Sequence, residues 1–277
     1  MPVDHAAEVA SGQRFEFGKN WARFLTLLNE ERIADAEKSL ARMLGYPSLE
    51  GLRFLDIGSG SGLFSLAARK LGANVFSFDY DPNSVACTAE LKRRYFPADP
   101  NWEVERGSIL DPEYLGKLGR FDVVYSWGVL HHTGQMWQAL GNAGDLVAPG
   151  GRLFIAIYND QENVSRRWTW VKRKYNESKL LRGPLLIGSF VYLYGRTVVK
   201  DFLRLRPLRS FTGYGKDNKT RGMSLWPDLV DWVGGYPFEV AKPEQIFEFY
   251  RDRGFELTSL TTTNSLGCNE FVFARKN

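Results

Sequence analysis

The octapeptide Leu55-Asp56-Ile57-Gly58-Ser59-Gly60-Ser61-Gly62 lies between an apolar run, Leu52-Arg53-Phe54-Leu55, and a segment from Leu63 to Leu71 with apolar residues at helical spacing. It reads as a strand, a glycine turn and a helix. Gly58, Gly60 and Gly62 remove side chains where a ligand would approach the backbone, and they permit positive φ. The first amides of the following helix add donors that the helix itself cannot satisfy. The Gly-x-Gly-x-Gly spacing is one residue shorter than the pyrophosphate fingerprint Gly-x-Gly-x-x-Gly. Asp56 beside the turn would repel a pyrophosphate and could receive an ammonium group. The expected ligand therefore joins a nucleoside to a cationic amino acid end, although a plain strand–helix turn uses the same residues.

Downstream, Ala73-Asn-Val-Phe-Ser-Phe-Asp79 is a strand that ends in an acid 17 residues past Gly62. That is close to the offset at which a carboxylate accepts hydrogen bonds from ribose hydroxyls. Tyr80 could pack on a nucleobase, while Asp81-Pro82 could simply cap the next helix. Ser84 to Tyr95 is expected to be helical, Trp102 to Arg106 a strand, and Phe121-Asp-Val-Val-Tyr-Ser126 a buried strand followed by Trp127-Gly128-Val-Leu-His131-His132. Trp137 to Val147 is expected as a helix ending at Pro149-Gly-Gly151, with Arg152 to Tyr158 as the fifth strand. Phe255 to Thr262 and Asn269 to Ala274 are expected to form a terminal hairpin.

These landmarks, in this order, resemble the class I S-adenosylmethionine (SAM) dependent methyltransferases over residues 51–158 and, less closely, 243–275. The glycine turn is similar to motif I of that family, and the stretch around Trp127 to motif IV, where the chain passes the sulfonium. The resemblance implies a Rossmann-like α/β fold: a seven-stranded, mostly parallel sheet with the last strand inserted antiparallel and helices on both faces. It implies N-terminal helices over residues 1–50 that close on the ligand, a SAM-binding core over 51–158, a substrate cap over 159–242, and a return to the core over 243–277. Asp56, Gly58, Ser59, Gly60, Gly62, Asp79, Tyr80, Trp127, Gly128 and Trp21 become cofactor candidates. The family often has an Asp bonding the adenine amino group where this chain has Ser108, so Ser108 and Ile109 are the candidates there.

Hydrophobic content of 44% and charged content of 25% over 277 residues are ordinary globular values with room for a sizeable core. Cys87 and Cys268 are far apart, which suggests neither a disulfide framework nor a zinc site and suits a reducing compartment. The opening Met-Pro-Val-Asp-His-Ala-Ala-Glu has no signal-peptide pattern, and a cytoplasmic location is expected. Residues 1–12 read as a disordered or loosely attached arm. Helices are expected through Ala22 to Leu28 and from Glu31 to Leu44, the latter with Ile33, Ala36, Leu40 and Met43 on one face. Phe17-Gly-x-Asn-Trp21 offers either aromatic ligand contacts or a core staple.

Between Asp160 and Arg221 lie fifteen Lys/Arg against five Asp/Glu, so the remainder of the chain is net negative. This block suggests an anionic partner, or only a solvated face. Arg204, Arg206 and Arg209 could hold a phosphate. Gly183 to Gly195, thirteen residues without a charge, is too short to span a membrane and reads as a buried helix in preference to one lying on a membrane surface.

Methyl transfer from a sulfonium gains most from positioning the acceptor in line. A general base matters only when the acceptor must lose a proton, as a hydroxyl does. His131 and His132, following a strand end, have the intrinsic pKa for that task, and the sequence does not choose between them. Tyr158, Arg221, Trp226 and Tyr236 are substrate candidates, with Trp232, Asp160, Asp228 and Asp231 behind them. The favoured reading is O-methylation of a small molecule, with a sugar or phosphate-bearing metabolite among the options and no metal. The alternatives are a tRNA or other nucleic acid methyltransferase, and a non-catalytic SAM-binding protein.

Overall fold

The computed structural model describes residues 5–18, 21, 25–26, 28–204 and 225–277. Its centre is a seven-stranded sheet in the order β3-β2-β1-β4-β5-β7-β6. The strands are β1 (Arg53–Ile57), β2 (Asn74–Asp79), β3 (Trp102–Arg106), β4 (Phe121–Trp127), β5 (Val147–Tyr158), β6 (Phe255–Thr261) and β7 (Cys268–Arg275). The first five run parallel, with Leu55 opposite both Phe76 and Val124. β7 runs antiparallel between β5 and β6. Fold class and the terminal hairpin are as the sequence led us to expect.

Strand periodicity divides the core. Leu55, Val124, Ile155 and Phe271 pack on one face under α6 (Met136–Asp145) and α10 (Pro243–Arg251). Their neighbours Phe54, Tyr125, Phe154 and Val272 pack on the other, under α2 (Glu30–Leu44), α3 (Leu63–Lys70) and α4 (Pro82–Tyr95). Ile33, Ala36, Leu40 and Met43 of α2 are all buried there. A single-turn helix, α5 (Pro112–Leu115), leads into β4. The chain leaves β1 toward β2 and β3, then returns to β4 on β1's other side. Open α/β sheets bind ligands in the crevice at such a reversal, outside the strand C-termini.

Three details differ from expectation, and a fourth expectation lies mostly beyond what the structure describes. Residues 5–10 form a helix, α1 (His5–Ala10), with His5 buried, so this part of the N-terminal arm is docked. The helix before β5 stops at Asp145, and Val147 already pairs with Phe121; Pro149-Gly150-Gly151 is an irregularity inside a longer strand. The run 183–195 belongs to a 22-residue helix, α8 (Arg182–Leu203), with much of its apolar surface exposed. The helix expected over 22–28 falls largely outside the described residues. α7 (Asn163–Glu177), α8 and α9 (Leu225–Gly234) surround a third core that includes Tyr158, Trp168, Leu186, Leu229 and Phe238.

Candidate cofactor and acceptor site

The glycine turn follows β1 at the crevice. Gly58, Gly60 and Gly62 all have positive φ, and a Cβ on Gly58 would lie 2.4 Å from the Val129 side chain. The amides of Gly58 and Ser59 donate to the Phe78 carbonyl, and that of Gly60 donates to Asp79 Oδ2 at 2.9 Å. Asp79 Oδ1 accepts from the Asp81 amide at 2.9 Å. The Asp79 carboxylate is thus fixed at the end of β2 by backbone donors on both oxygens, each of which keeps lone pairs for further donors. Burial raises its pKa to about 6 against the opposing pull of those amides.

Asp56, one residue before the end of β1, is 2% exposed. Its Oδ2 accepts from Ser65 Oγ at 2.5 Å, Ser65 Oγ accepts from Ser77 Oγ at 2.8 Å, and Ser77 Oγ accepts from Trp102 Nε1 at 3.0 Å. Every donor in this chain points toward the carboxylate. Burial nevertheless drives the Asp56 pKa up to about 7; the Ser65 hydroxyl opposes the rise and the nearby Asp79 charge adds to it. Two acceptor-only carboxylates beside a glycine cradle suit a ligand with ribose hydroxyls and an ammonium group. SAM fits this set of acceptors: Asp79 would take the ribose hydroxyls and Asp56 the amino group, with the glycine turn beneath.

The N-terminal segment straps the crevice. Arg14 Nε donates to Glu8 at 2.6 Å, its Nη1 donates to the His132 carbonyl at 2.9 Å, and its guanidinium lies 4.9 Å over the Tyr80 ring. One side chain therefore links α1 to the ends of both β2 and β4. Phe17 contacts the His132 ring, the Gly18 amide donates to Asp81, and the Trp21 indole lies on Gly60. Trp21 of this aromatic cluster lies on the glycine turn and also packs against the core under α2, α3 and α4. Arg14→Ala should weaken S-adenosylhomocysteine (SAH) binding about tenfold, the worth of one charge-assisted hydrogen bond, and raise protease cleavage within residues 5–18. Calorimetry and limited proteolysis check both.

At the end of β4, Gly128 has positive φ and open space where a side chain would stand. The next turn, Leu130–His132, is 3-10 helical and carries both histidines. His131 is fully buried, its Nδ1 accepts the Tyr158 amide at 3.3 Å, and its ring lies 4.0 Å from that of Tyr158. His132 Nδ1 meets the Pro237 carbonyl at 2.6 Å. A carbonyl only accepts, so His132 carries its proton on Nδ1 and its lone pair on Nε2. The assignment for His131 is the reverse, since an amide only donates. These two backbone partners give the two histidines opposite tautomers.

Beside the histidines stands an aromatic box. Trp232 of α9 meets Tyr158, Trp168 and Phe238 at 5.6, 5.3 and 6.2 Å between ring centroids. Lys172 of α7 is fully buried, donates to the Trp232 carbonyl and lies 4.2 Å over its ring. Trp232 Nε1 is buried with no hydrogen-bond partner among the described residues.

The other expected residues are engaged as follows. Trp226 is 58% exposed on α9 and does not belong to the box; Trp232, six positions on, takes that place. Tyr80 is engaged by Arg14 and by the edge of His5. Trp127 donates to Glu270 of β7 at 2.8 Å. Ser108 Oγ caps its own turn by accepting from Leu110, and the Ile109 carbonyl accepts from Asn142. Tyr236 is half-buried, and its carbonyl accepts from the Phe15 amide. Asp160 caps the turn into α7 through the Glu162 amide, and Asp228 lies half-buried on α9. Arg221, Arg206 and Arg209 lie outside the described residues, while Arg204 is exposed at the end of α8. The sequence reading missed Arg14, Lys172, Pro237 and the buried Tyr125 hydroxyl near Asp56. Only Arg14, beside Phe15 and Phe17, had a local signal.

A family model described as a methyltransferase domain matches residues 28–181, more than half of the chain. A ubiquinone biosynthesis O-methyltransferase from Rhizobium etli (strain CIAT 652) is 33% identical over 113 residues, 40% of this chain and 43% of that protein. A tRNA U34 carboxymethyltransferase from Ectopseudomonas mendocina (strain ymp) is 33% identical over 128 residues, 44% of this chain and 38% of that protein. The chain thus matches about half or less of the length of these curated relatives. Among solved structures, magnesium protoporphyrin IX methyltransferase from Synechocystis PCC 6803 with bound SAH aligns with a TM-score of 0.51 at 16% identity, covering 88% of this chain and 83% of that one. Glycine cradle, Asp79, sheet order and family model agree: the chain belongs to the Rossmann-like, SAM-dependent methyltransferase family.

Proposed function

We propose that this chain methylates a hydroxyl oxygen of a small, largely apolar or aromatic acceptor, with His132 as the general base. The carrying observation is the bond from His132 Nδ1 to the Pro237 carbonyl, which puts the basic lone pair on Nε2. SAM, when bound, supplies an electrophilic methyl group that needs no covalent help from the protein. Asp79 holds the ribose hydroxyls, Asp56 the ammonium group, and the glycine turn with Gly128 leaves space for the amino acid end. Tyr158, Trp232 and Phe238 present aromatic faces and edges that orient a ring or polyene. Trp232 Nε1 supplies a donor for an acceptor oxygen. His132 Nε2 takes the proton that the hydroxyl loses, and the Pro237 carbonyl stabilises the imidazolium that results.

The R. etli relative, by its name an O-methyltransferase, supports the oxygen acceptor. The runner-up is a nucleic acid substrate, favoured by the tRNA modifier among the relatives and by the basic block from Asp160 to Arg221. Against it stands Lys172 of that block, which is buried in the aromatic box.

Calorimetry of SAH with wild type and Asp79→Ala, followed by an acceptor screen with tritiated SAM, tests the reading. We expect binding that weakens about a hundredfold in the variant, as two hydrogen bonds to a carboxylate are lost. Label should transfer to phenols or catechols and not to tRNA. Folded wild type that binds no SAH refutes the cofactor site. Transfer to tRNA alone refutes the acceptor class.

A further inference from the structure

The outward face of α8 is built unlike a solvated helix face. Its inner side, Leu186 and Ser189 with the half-buried Leu185, Phe190, Leu193 and Tyr194, packs in the third core. Ile187, Val191, Val199 and Leu203 point the other way, 66, 61, 58 and 80% exposed. With Gly195 they fall on a single i, i+4 row, so they form one continuous apolar ridge. The adjoining row is Gly188, Tyr192, Arg196 and Lys200, and Arg204 follows at the helix end; all five are exposed. The only acid in the helix, Asp201, is buried. Polar residues normally cover the outward face of a surface helix, and exposed apolar ridges of this kind mark interaction surfaces.

We propose that α8 lies in the plane of an anionic lipid bilayer. The ridge would enter the boundary between headgroups and acyl chains, and Arg196, Lys200 and Arg204 would meet lipid phosphates. The charge pattern selects this occupant. In a symmetric dimer each copy would bring its Arg196–Lys200 row to the contact, with no exposed acid on the helix to pair with it. A bilayer with negative headgroups meets both rows at once, and in-plane helices with an apolar ridge and basic flank bind in this way. Twenty-two residues give the contact about 33 Å of length. No described helix is long and apolar enough to cross a membrane. The same ridge corrects the expectation of a buried helix: the sequence supplied apolar residues all round, and only one side found a core. The proposal does not depend on methyl transfer. It does bear on the acceptor, because α8 packs on α9, which carries Trp232, and a docked α8 holds the aromatic box beside an interface where amphiphilic acceptors partition.

Co-sedimentation of the full chain with phosphatidylcholine vesicles, with and without phosphatidylglycerol, tests this. Wild type should pellet with the anionic vesicles, weakly with the neutral ones, and less as salt rises. Arg196→Gln with Lys200→Gln should lower partitioning about 25-fold, at about fivefold per basic residue near an anionic surface. Val191→Glu with Val199→Glu should abolish it. Both variants change exposed side chains and should bind SAH as wild type does, which separates this proposal from the assignment of the cofactor site. Wild type that fails to sediment, equal binding to neutral and anionic vesicles, or variants that sediment like wild type would each overturn the proposal. A dimer in sedimentation velocity that Val191→Glu dissociates would give the face to a second copy instead.

Discussion

His132→Gln should lower kcat for a hydroxyl acceptor by about a hundred- to ten-thousandfold, the usual worth of a general base, with SAH affinity within about twofold of wild type. The expectation rests on proton placement. Pro237 offers His132 Nδ1 a carbonyl, so the ring is held with Nε2 basic. Gln keeps a donor for that carbonyl and loses the base. His131→Asn should do something different, because Nδ1 of His131 accepts from the Tyr158 amide, leaving the proton on Nε2. Asn can accept the same amide, so the main cost should be packing against Tyr158: about 1–2 kcal/mol of stability and less than about tenfold in kcat. The pH profile separates the two roles. A base must be unprotonated, so wild-type kcat should rise with pH through the imidazole titration and level off. That limb should persist in His131→Asn and vanish in His132→Gln. A limb that survives in His132→Gln would remove His132 from catalysis; its loss in His131→Asn would exchange the roles.

Much of the core was legible because local chemistry and fold agree there. Gly58, Gly60 and Gly62 need positive φ, and β4 is apolar enough to read as a strand buried on both faces. The hairpin of β6 and β7 followed from alternation and a turn. The acceptor side was illegible for a physical reason: its geometry is set by contacts distant in sequence. His132 receives its tautomer from Pro237, 105 positions away, and Arg14 closes on a carbonyl 118 positions away. No periodicity encodes such pairs. That Trp232 and not Trp226 faces Tyr158 was illegible in the same way, since both lie on α9 and only its orientation decides. Residues 1–12 read as a loose arm; from residue 5 onward a buried His5 and the reach of Arg14 dock the chain.

Asp56→Asn should change fold stability and cofactor affinity in opposite directions. In the ligand-free protein the Asp56 carboxyl, pushed to about 7, binds its proton more tightly than the same group does in the unfolded chain. Between the unfolded value near 4 and about pH 7 the folded state therefore holds more protons, and stability falls as pH rises through that window. Above it the ionised, buried carboxylate costs at most ~4 kcal/mol. The relay from Trp102 through Ser77 and Ser65 already offsets part of that cost. Asn can still accept from Ser65 and carries no charge, so at pH 8 the variant should be more stable by ~1–2 kcal/mol and below pH 5 should gain nothing. Denaturant unfolding at the two pH values measures this. If Asp56 receives the ammonium group, SAH affinity should fall about 10- to 100-fold in the same variant at pH 8. The wild-type advantage should shrink below pH 6 as Asp56 becomes protonated. A stabilised variant that binds SAH like wild type would reduce Asp56 to the anchor of a buried hydrogen-bond chain, leaving the ammonium to another acceptor. A destabilised variant would mean that the relay needs the charge at its end. The predicted combination, more stable and weaker binding, would mean that the protein maintains a buried charge at a cost to its own fold because the cofactor neutralises it.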